Sequence, residues 1–365
     1  MATKEATWDY RDRFGDRFAR TYFRGFSGLA VSSIGAGTYL GEPTDRVDDR
    51  YHEALVEALG SGVNVLDTAI NYRAQRSERV VGAAIGEADV DREAVLVATK
   101  GGFVPFDGSR PDDPGRFVRE EYVEPGLIPA DELVRGNCIA PDFLEDQLDR
   151  SLANLGLDAV DLYYVHNPET QLEAHSREWV YDRLEDAFTR LEERAARGDL
   201  HHYGVASWEC FRVPADHDSH LSLPEVVRRG RAAAKRAGNA ATHFRAVQLP
   251  FNVHMADAFT VASHDGAEGV QSALTFAQES GLNVFTSASV LQGDLAAEGS
   301  TPDAVAARLN GDTPAQRAIN FARSAPGVTA SLVGMASTEH VRENVAAGTF
   351  EPLGASAFDA VFESG

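Results

Sequence analysis

Short apolar runs alternate with longer amphipathic segments along most of the chain. The apolar runs resemble buried strands and span residues 28–37, 64–69, 94–100, 159–166, 202–207, 246–252, 283–289 and 329–334. The segments between them have apolar residues at helical spacing and span residues 50–62, 77–88, 141–156, 179–198, 223–238, 269–281, 314–327 and 338–348. Several of these helices end at glycine, a residue that commonly terminates helices. Strands that are each followed by a helix predict an α/β fold, built as one (β/α)8 TIM barrel.

The chain shows no change in composition that would mark a linker between domains. We therefore predict one domain over residues 1–365, with a barrel core over about 28–350 and an N-terminal extension over 1–27. Residues 101–140 are rich in Gly, Pro and charged residues and form a long loop between the third strand and its helix. Loops of this length are usually functional, and a loop that follows a strand lies over the barrel mouth. We expect this loop to cover a substrate.

The charge of the chain is strongly negative. Its 34 basic and 56 acidic side chains give a formal net charge of −22, which argues against nucleic acid or an anionic membrane as a partner. The lysines are Lys4, Lys100 and Lys235, so nearly all of the 34 basic side chains are arginines. An acidic, lysine-poor surface indicates a salt-adapted, halophilic protein, and an acidic protein from ordinary conditions is the alternative.

Cysteine content and hydropathy bear on the compartment. Cys138 and Cys210 are too few for a disulfide framework, so reduced thiols are expected. No apolar run approaches the roughly 20 residues of a membrane helix. Residues 1–20 carry charges where a signal peptide needs an apolar stretch. These features predict a soluble, cytoplasmic protein.

Polar residues occur at the ends of three predicted strands. Asp67 ends the second strand, Lys100 the third and His166 the fourth, and Tyr72 follows in the loop after the second. Each residue alone has a structural explanation, such as a helix cap or a packed ring. Catalytic residues of barrels come from the carboxyl ends of several strands, which meet at one rim. We therefore predict that these four side chains form one site.

This set of residues suits proton donation to a carbonyl group. An ammonium at Lys100 would favour the phenolate of Tyr72 and lower its pKa from the usual value near 10. Asp67 would keep the buried amine charged, and His166 would hydrogen-bond the carbonyl oxygen. None of these groups supplies electrons. Reduction of the carbonyl would need a hydride, which indicates a nicotinamide cofactor.

Motifs in a consistent order and spacing span residues 34–39, 62–72, 77–85, 98–102, 151–169, 204–207, 246–252, 291–295 and 332–348. With these motifs the chain resembles the aldo-keto reductase family from about Gly28 to Gly348. The resemblance implies that Tyr72 is the proton donor, that Asp67 and Lys100 tune it, and that His166 orients the substrate. It also implies an extended nicotinamide nucleotide across the barrel mouth, without a Gly-rich Rossmann motif.

Cofactor contacts follow from the same resemblance. It implies that Gly37, Thr38 and Tyr39 lie beside the nicotinamide, Ser207 and Gln248 hold its carboxamide, and Glu343 and Asn344 meet the adenine. The chain departs from the family pattern where Trp208 follows Ser207 instead of Asn, and where Ser287 aligns with a stacking tyrosine. In the segment after the last strand, family members commonly bind the 2′-phosphate of NADPH with basic residues. This chain instead offers Gly334, Met335, Ala336, Ser337, Thr338 and His340, with Arg342 as the nearest strong cation.

Because of these departures, the sequence favours NADP(H) over NAD(H) as the cofactor only slightly. We expect a monomer or weak oligomer that acts on a small carbonyl compound or alcohol, with Phe103 and Trp208 in the substrate pocket. We expect no metal: His217 and His220 have a usable spacing but lie in what reads as a solvated acidic loop. A Schiff-base lyase at Lys100 is disfavoured because Asp67 would keep the amine protonated. A nucleotide-binding, redox-sensing or partner-binding barrel with little turnover is the alternative function.

Overall fold

The computed structural model describes residues 1–363. Its strands are β1 (Phe23–Phe26), β2 (Leu29–Ser32), β3 (Ile34–Gly37), β4 (Val65–Asp67), β5 (Leu96–Gly101), β6 (Val160–His166), β7 (Leu200–Ala206), β8 (Phe244–Pro250), β9 (Ala262–Gly266), β10 (Gly269–Ser272), β11 (Asn283–Ser287) and β12 (Val328–Gly334). Eight of them pair in parallel and close into a barrel in the order β11-β12-β3-β4-β5-β6-β7-β8. The predicted (β/α)8 TIM barrel is confirmed.

Helices surround the barrel on its outside. They are α1 (Lys4–Phe14), α2 (Asp45–Leu59), α3 (Arg76–Glu87), α4 (Pro114–Val118), α5 (Pro141–Leu155), α6 (Arg177–Arg197), α7 (Leu223–Ala237), α8 (Asp257–Thr260), α9 (Ala273–Glu279), α10 (Asp303–Ala306), α11 (Pro314–Ser324), α12 (Thr338–Ala346) and α13 (Ala355–Phe362). α7 shows why these segments are helical, since Pro224 occupies its first turn and Gly238 ends it with φ of 82°. Within residues 1–363, no helix is long and apolar enough to cross a membrane.

Apolar side chains fill two layers of the fold. A small cluster inside the barrel includes Val65, Leu96, Leu162 and Phe285, and a larger one lies between the strands and the outer helices. Strands β4 to β8 are therefore buried on both faces, as parallel strands between two apolar layers must be. This double burial explains why they read as nearly continuous apolar runs.

The predicted strand 28–37 is wrong as a single element. It divides into β2, which pairs with β1 in an antiparallel hairpin, and β3, which belongs to the barrel. The chain changes sheet at Ser33, whose N–H donates to Tyr22 O (2.7 Å) while its C=O accepts from Ser331 N (2.9 Å). Hairpin residues such as Leu29 and Val31 join the interior cluster, so the hairpin closes the amino-terminal end of the barrel.

The predicted helix 269–281 is also partly wrong. Its first four residues form β10, which pairs with β9 in an antiparallel hairpin. Gly269 follows the turn of this hairpin with φ of 120°, a left-handed conformation that suits glycine. Helix α9 begins only after Ser272, whose Oγ accepts a hydrogen bond from Thr275 N (3.3 Å).

The long loop after the third barrel strand has the predicted position and an ordered structure. It contains α4, and its residues Tyr122, Ile128 and Cys138 form a small apolar cluster with Phe143 of α5. The cluster gives the loop a core of its own beside the barrel mouth. Its expected contact with substrate stays a prediction.

Candidate functional site

The four residues predicted to form a site lie together at one end of the barrel. Asp67 ends β4, Lys100 is the penultimate residue of β5, and His166 ends β6. Because these strands are parallel, their carboxyl ends share one rim. Tyr72 follows β4 by five residues and lies over Lys100, with the centroid of its ring 4.8 Å from Nζ.

A buried ion pair forms the base of the site. Lys100 Nζ donates to Asp67 Oδ1 (2.6 Å) and to Thr68 O (2.8 Å), and its side chain is 0% exposed. The second carboxylate oxygen, Asp67 Oδ2, accepts from Gln248 Nε2 (2.7 Å). Both oxygens of Asp67 therefore have partners, which fixes the orientation of the carboxylate.

The charge of Lys100 reflects a balance between burial and its neighbours. Burial alone would lower the pKa of the amine, whereas the Asp67 carboxylate and the Tyr72 hydroxyl raise it. The neighbours prevail, and the pKa of Lys100 lies above its usual value. Lys100 is thus an ammonium at neutral pH, in line with the role expected for Asp67.

The expected lowering of the Tyr72 pKa is wrong for the free protein. Burial raises the pKa of Tyr72 above 10, and the opposing effect of the Lys100 ammonium is smaller. The Asp67 carboxylate adds to the increase. The ammonium does favour the phenolate, but the loss of water around the buried phenol disfavours it more. At neutral pH the side chain is therefore a fully protonated phenol beside a fixed positive charge.

His166 is a neutral imidazole. Burial, and then the nearby Lys100 ammonium, lower its pKa to about 3. Its ring lies edge-on to Phe103 (5.1 Å between centroids) and to Tyr72 (6.1 Å), and its Nδ1 is buried without a hydrogen-bond partner. A neutral ring with one N–H can donate to a carbonyl oxygen without carrying a charge.

Aromatic side chains surround the mouth of the site. Tyr39 is 58% exposed and its ring lies 5.0 Å from that of Tyr72, and Trp208 is 45% exposed. Phe103 contacts His166 from the long loop. Large exposed apolar surfaces are uncommon unless they meet another molecule. The rim can therefore receive a partly apolar compound.

The predicted carboxamide contacts have protein partners of their own. Ser207 Oγ donates to Glu169 Oε1 (3.0 Å) and accepts from Cys210 N (2.9 Å), which leaves one lone pair free on the hydroxyl. Gln248 is held by Asp67, as described above. Glu169 Oε1 also accepts from Trp208 N (2.8 Å) and Glu209 N (2.9 Å). Sequence reasoning missed Glu169, although it follows the strand-end His166 by only three residues.

Three further predicted cofactor residues lie at strand ends on the same rim. Gly37 ends β3 beside Asp67 of β4, and a Cβ at Gly37 would lie 3.6 Å from Val333 O. Thr38 Oγ1 donates to Asp67 O (3.2 Å). Ser287 ends β11, and its C=O accepts from Phe251 N (3.0 Å).

The predicted adenine and 2′-phosphate residues lie at the end of β12 and along α12. Ser337 caps α12 by accepting from His340 N (3.3 Å), and Asn344 Nδ2 donates to Gly334 O (3.3 Å). Glu343 Oε1 accepts from Thr313 Oγ1 (2.8 Å). Met335, adjacent to Gly334, is fully buried.

Arg342, the nearest strong cation to this segment, faces away from it. Its guanidinium pairs with Glu57 of α2, with Nε 2.7 Å from Oε1 and Nη2 3.3 Å from Oε2. The amino-terminal end of α12 therefore presents backbone N–H groups and hydroxyls. It lacks a contribution from the Arg342 side chain.

One expectation about histidines outside the site is wrong. His220 is buried and its ring stacks on that of His264 (5.3 Å between centroids), so it does not belong to a solvated loop. The rings of His201 and His202 stack on each other, with 4.5 Å between their centroids. Across residues 1–363, no group of three or more His, Cys, Asp and Glu side chains is arranged to hold a metal.

Comparisons with known proteins agree with this geometry. A family model described as the aldo/keto reductase family matches residues 33–216. A putative voltage-gated potassium channel subunit beta of Schizosaccharomyces pombe is 26% identical over 90% of this chain and 88% of its own length. An NADH-specific methylglyoxal reductase of Escherichia coli is 30% identical over 53% of this chain and 52% of its own length. A Klebsiella pneumoniae aldo/keto reductase, solved with NADP and acetate, is 21% identical over 92% of both chains, with a TM-score of 0.58.

Proposed function

The chain belongs to the aldo/keto reductase family, and from that membership we propose an NAD(P)(H)-dependent carbonyl reductase or alcohol dehydrogenase. The observation that carries the proposal is the buried Lys100–Asp67 pair, 2.6 Å apart, beneath the ring of Tyr72 at the barrel mouth. Burying an ammonium is costly, and a chain with only three lysines retains one here. A charged Lys100 stabilises the phenolate that forms when the neighbouring Tyr72 releases its proton.

Each residue of the site has a distinct role in carbonyl reduction. Tyr72 donates its proton to the carbonyl oxygen, and the Lys100 ammonium stabilises the phenolate as it forms. Asp67 holds Lys100 charged and in place. His166, a neutral imidazole, donates a hydrogen bond to the same oxygen and orients the substrate. In the reverse direction, the Tyr72 phenolate accepts the proton of an alcohol.

A nicotinamide nucleotide fits the polar residues around the mouth and would supply the hydride. Gly37 leaves room beside β12, and the free lone pair of Ser207 can accept from a carboxamide NH2 group. The residues proposed to hold the nucleotide are Gly37, Thr38, Tyr39, Asp67, Ser207, Gln248, Ser287, Gly334, Met335, Ser337, His340, Glu343 and Asn344. Phe103 and Trp208 are proposed to contact the substrate, a small aldehyde, ketone, sugar or alcohol.

We propose NADP(H) as the nucleotide, slightly favoured over NAD(H). The amino-terminal end of α12 offers backbone N–H groups, and Ser337 and Thr338 add hydroxyls, which together suit a phosphate. Pairing of Arg342 with Glu57 makes this phosphate site weaker than one with a guanidinium. The Escherichia coli relative, named as NADH-specific, is a reason to test both nucleotides.

Binding and turnover measured in sequence test this function. Quenching of protein fluorescence by NADPH and NADH in concentrated salt is expected to show saturable binding of both, with NADPH tighter. The better nucleotide is then mixed with a panel of aldehydes, ketones and sugars, and its oxidation is followed by absorbance. Saturable oxidation with at least one carbonyl compound is expected. Failure of both nucleotides to bind would refute the proposal.

A second function is favoured by one comparison. The relative that aligns with 90% of this chain is named as a putative potassium channel subunit beta, which suggests a nucleotide-binding barrel that serves a partner protein. Such a barrel would bind the nucleotide and oxidise it slowly or not at all with every carbonyl tested. The complete set of Asp67, Tyr72, Lys100 and His166 favours the enzyme instead.

The remaining properties are proposed from the sequence. We propose one domain over residues 1–365, in a cytoplasmic and salt-adapted protein that is a monomer or weak oligomer. The described thiols Cys138 and Cys210 are buried and unpaired with each other, which suits a reducing compartment. Size-exclusion chromatography with light scattering at two salt concentrations tests the oligomeric state.

A further inference from the structure

The backbone directly after Tyr72 is left-handed at three successive non-glycine residues. Arg73, Ala74 and Gln75 have φ values of 48°, 55° and 68°. L residues adopt this conformation at an energetic cost, because Cβ approaches a backbone carbonyl oxygen. A run of three such residues persists only where surrounding contacts hold it. We call residues 73–75 the left-handed turn.

The Arg73 side chain holds the left-handed turn from one side. Its guanidinium is buried and donates to Glu42 O from Nε (3.2 Å) and Nη2 (3.1 Å). Nη2 also pairs with the Asp48 carboxylate, and the group lies 5.3 Å from the centroid of the Tyr51 ring. Glu42 belongs to the loop that carries Tyr39. Arg73 therefore ties this loop to the backbone next to Tyr72.

The other two residues of the left-handed turn join it to the long loop and to α5. Ala74 O accepts from Gly108 N (2.9 Å), and Gln75 Nε2 donates to Phe106 O (3.0 Å). Gln75 Oε1 accepts from Asn154 Nδ2 (3.0 Å). Three separate segments thus converge on the backbone that directly follows Tyr72.

We propose that Arg73 is a positioning residue, which holds the left-handed turn and thereby places the ring of Tyr72 over Lys100. The inference rests on the proposed carbonyl reductase function and adds a residue to it. Arg73 does not act by touching substrate, because its side chain is only 1% exposed. Its effect passes through the backbone of the turn and through Tyr39, whose ring lies 5.0 Å from that of Tyr72.

Two substitutions at Arg73 separate positioning from other roles. Arg73→Ala removes the guanidinium and keeps a Cβ at a positive φ, so the turn should relax and Tyr72 should move. Turnover should fall about tenfold or more, because small displacements of a catalytic group are costly, while nucleotide affinity stays within about twofold. Arg73→Gly also removes the guanidinium, but glycine adopts the left-handed conformation freely. It should therefore recover most of the lost turnover.

Arg76→Ala provides the matched control. Arg76 also pairs with Asp48 and Asp45, yet it lies in α3, outside the left-handed turn. Its loss should leave turnover within about twofold of the original, since the turn keeps all of its contacts. Equal turnover in Arg73→Ala and Arg73→Gly, or an equal loss in Arg76→Ala, would overturn the inference.

Amide hydrogen exchange tests the inference independently of activity. Exchange across residues 69–76 should be faster in Arg73→Ala than in the unaltered protein or in Arg76→Ala. Unchanged exchange in Arg73→Ala would overturn the role of Arg73 in holding the turn. If the unaltered protein binds no nucleotide and reduces no carbonyl, the proposed function fails, and the exchange experiment still decides whether Arg73 holds the turn.

Discussion

The protonation states of Lys100, Tyr72 and His166 follow from burial weighed against neighbouring charge. Burial is the largest single effect on the pKa of Lys100, but the Asp67 carboxylate and the Tyr72 hydroxyl together outweigh it, so the amine stays charged. Burial outweighs the ammonium for Tyr72, and both effects act together on His166. The carboxyl ends of the strands could be located in the sequence, and their positions predicted that these side chains would meet at one rim. The direction in which the pKa of Tyr72 shifts could not be predicted, because it depends on how much water the folded protein excludes from the barrel mouth.

The pH dependence of carbonyl reduction tests these states. The pKa of His166 is about 3 and that of Tyr72 is raised above 10, so neither group changes charge near neutrality. We expect kcat/KM for an aldehyde without ionisable groups to be flat from about pH 5 to pH 9 and to fall only at pH values above the usual tyrosine pKa, as Tyr72 loses its proton. An acid limb near the ordinary histidine pKa would contradict the neutral state of His166. Samples returned to pH 7 must regain full activity, which controls for unfolding.

His202 lies at the other end of the barrel, and it makes the free energy of unfolding depend on pH. Burial lowers its pKa to about 3, and both of its ring nitrogens lack partners. Below the ordinary histidine pKa the unfolded chain binds a proton that the folded chain does not, so stability falls as pH falls. Between pH 6.5 and 5 this group should cost up to about 2 kcal/mol. Chemical denaturation of His202→Leu should show a shallower loss over this range, whereas the exposed His217→Leu should match the original protein.

Among the secondary-structure elements, strands that are buried on both faces were the ones that could be predicted from the sequence. The parallel strands β4 to β8 are apolar on both faces, and sequence reasoning identified each of them. The two antiparallel hairpins were missed because β1 and β10 have exposed positions and no long apolar run. Glu169 and Arg73 were missed for a different reason. Their partners, Ser207 and Glu42, lie 38 and 31 residues away in the chain.

Glu192 of α6 joins that helix to the middle of β7 and to the residues just before β8. Its fully buried carboxylate accepts from Tyr203 Oη (3.0 Å), Thr242 Oγ1 (2.8 Å) and His243 N (2.8 Å). It also pairs with His243 Nδ1 (2.6 Å). Although burial opposes ionisation, these hydrogen bonds prevail and lower the pKa of Glu192.

Glu192→Gln should therefore destabilise the protein. An amide places N–H groups against donors and loses the charge, which should cost about 2 to 4 kcal/mol in chemical denaturation at neutral pH. The cost should shrink as pH falls through the lowered pKa, because the original carboxylate then becomes protonated. Glu193→Gln, at a half-exposed neighbour, should change stability by less than about 0.5 kcal/mol. Equal stability of the two variants would contradict the role of Glu192 in joining these elements.

Across the whole molecule, acidic side chains outnumber basic ones and gather around arginines. Arg229 contacts carboxylates of Glu178, Asp182, Glu185 and Glu225, and Arg194 contacts those of Glu145, Asp149 and Asp199. These arginines bridge the outer helices α5, α6 and α7. With a net charge of −22, the remaining carboxylates repel one another at low salt.

Salt should therefore stabilise the fold. Raising KCl from about 0.1 M to about 2 M should increase the thermal midpoint, first by screening repulsion and then by strengthening apolar burial. The midpoint is measured by intrinsic fluorescence, with choline chloride at equal ionic strength as a comparison. A midpoint that stays constant or falls across this range would contradict salt adaptation.

The Tyr72→Phe variant tests the proton-donor role of Tyr72 most directly. It removes only the hydroxyl, so the Lys100–Asp67 pair and the aromatic contact with Tyr39 remain. Turnover of the best carbonyl substrate should fall at least about 100-fold, while nucleotide affinity measured by fluorescence should change only a few-fold. Arg76→Ala, which changes a side chain near Tyr72 but outside the site, serves as the control and should retain most activity. A Tyr72→Phe protein with turnover close to the original would contradict Tyr72 as the proton donor.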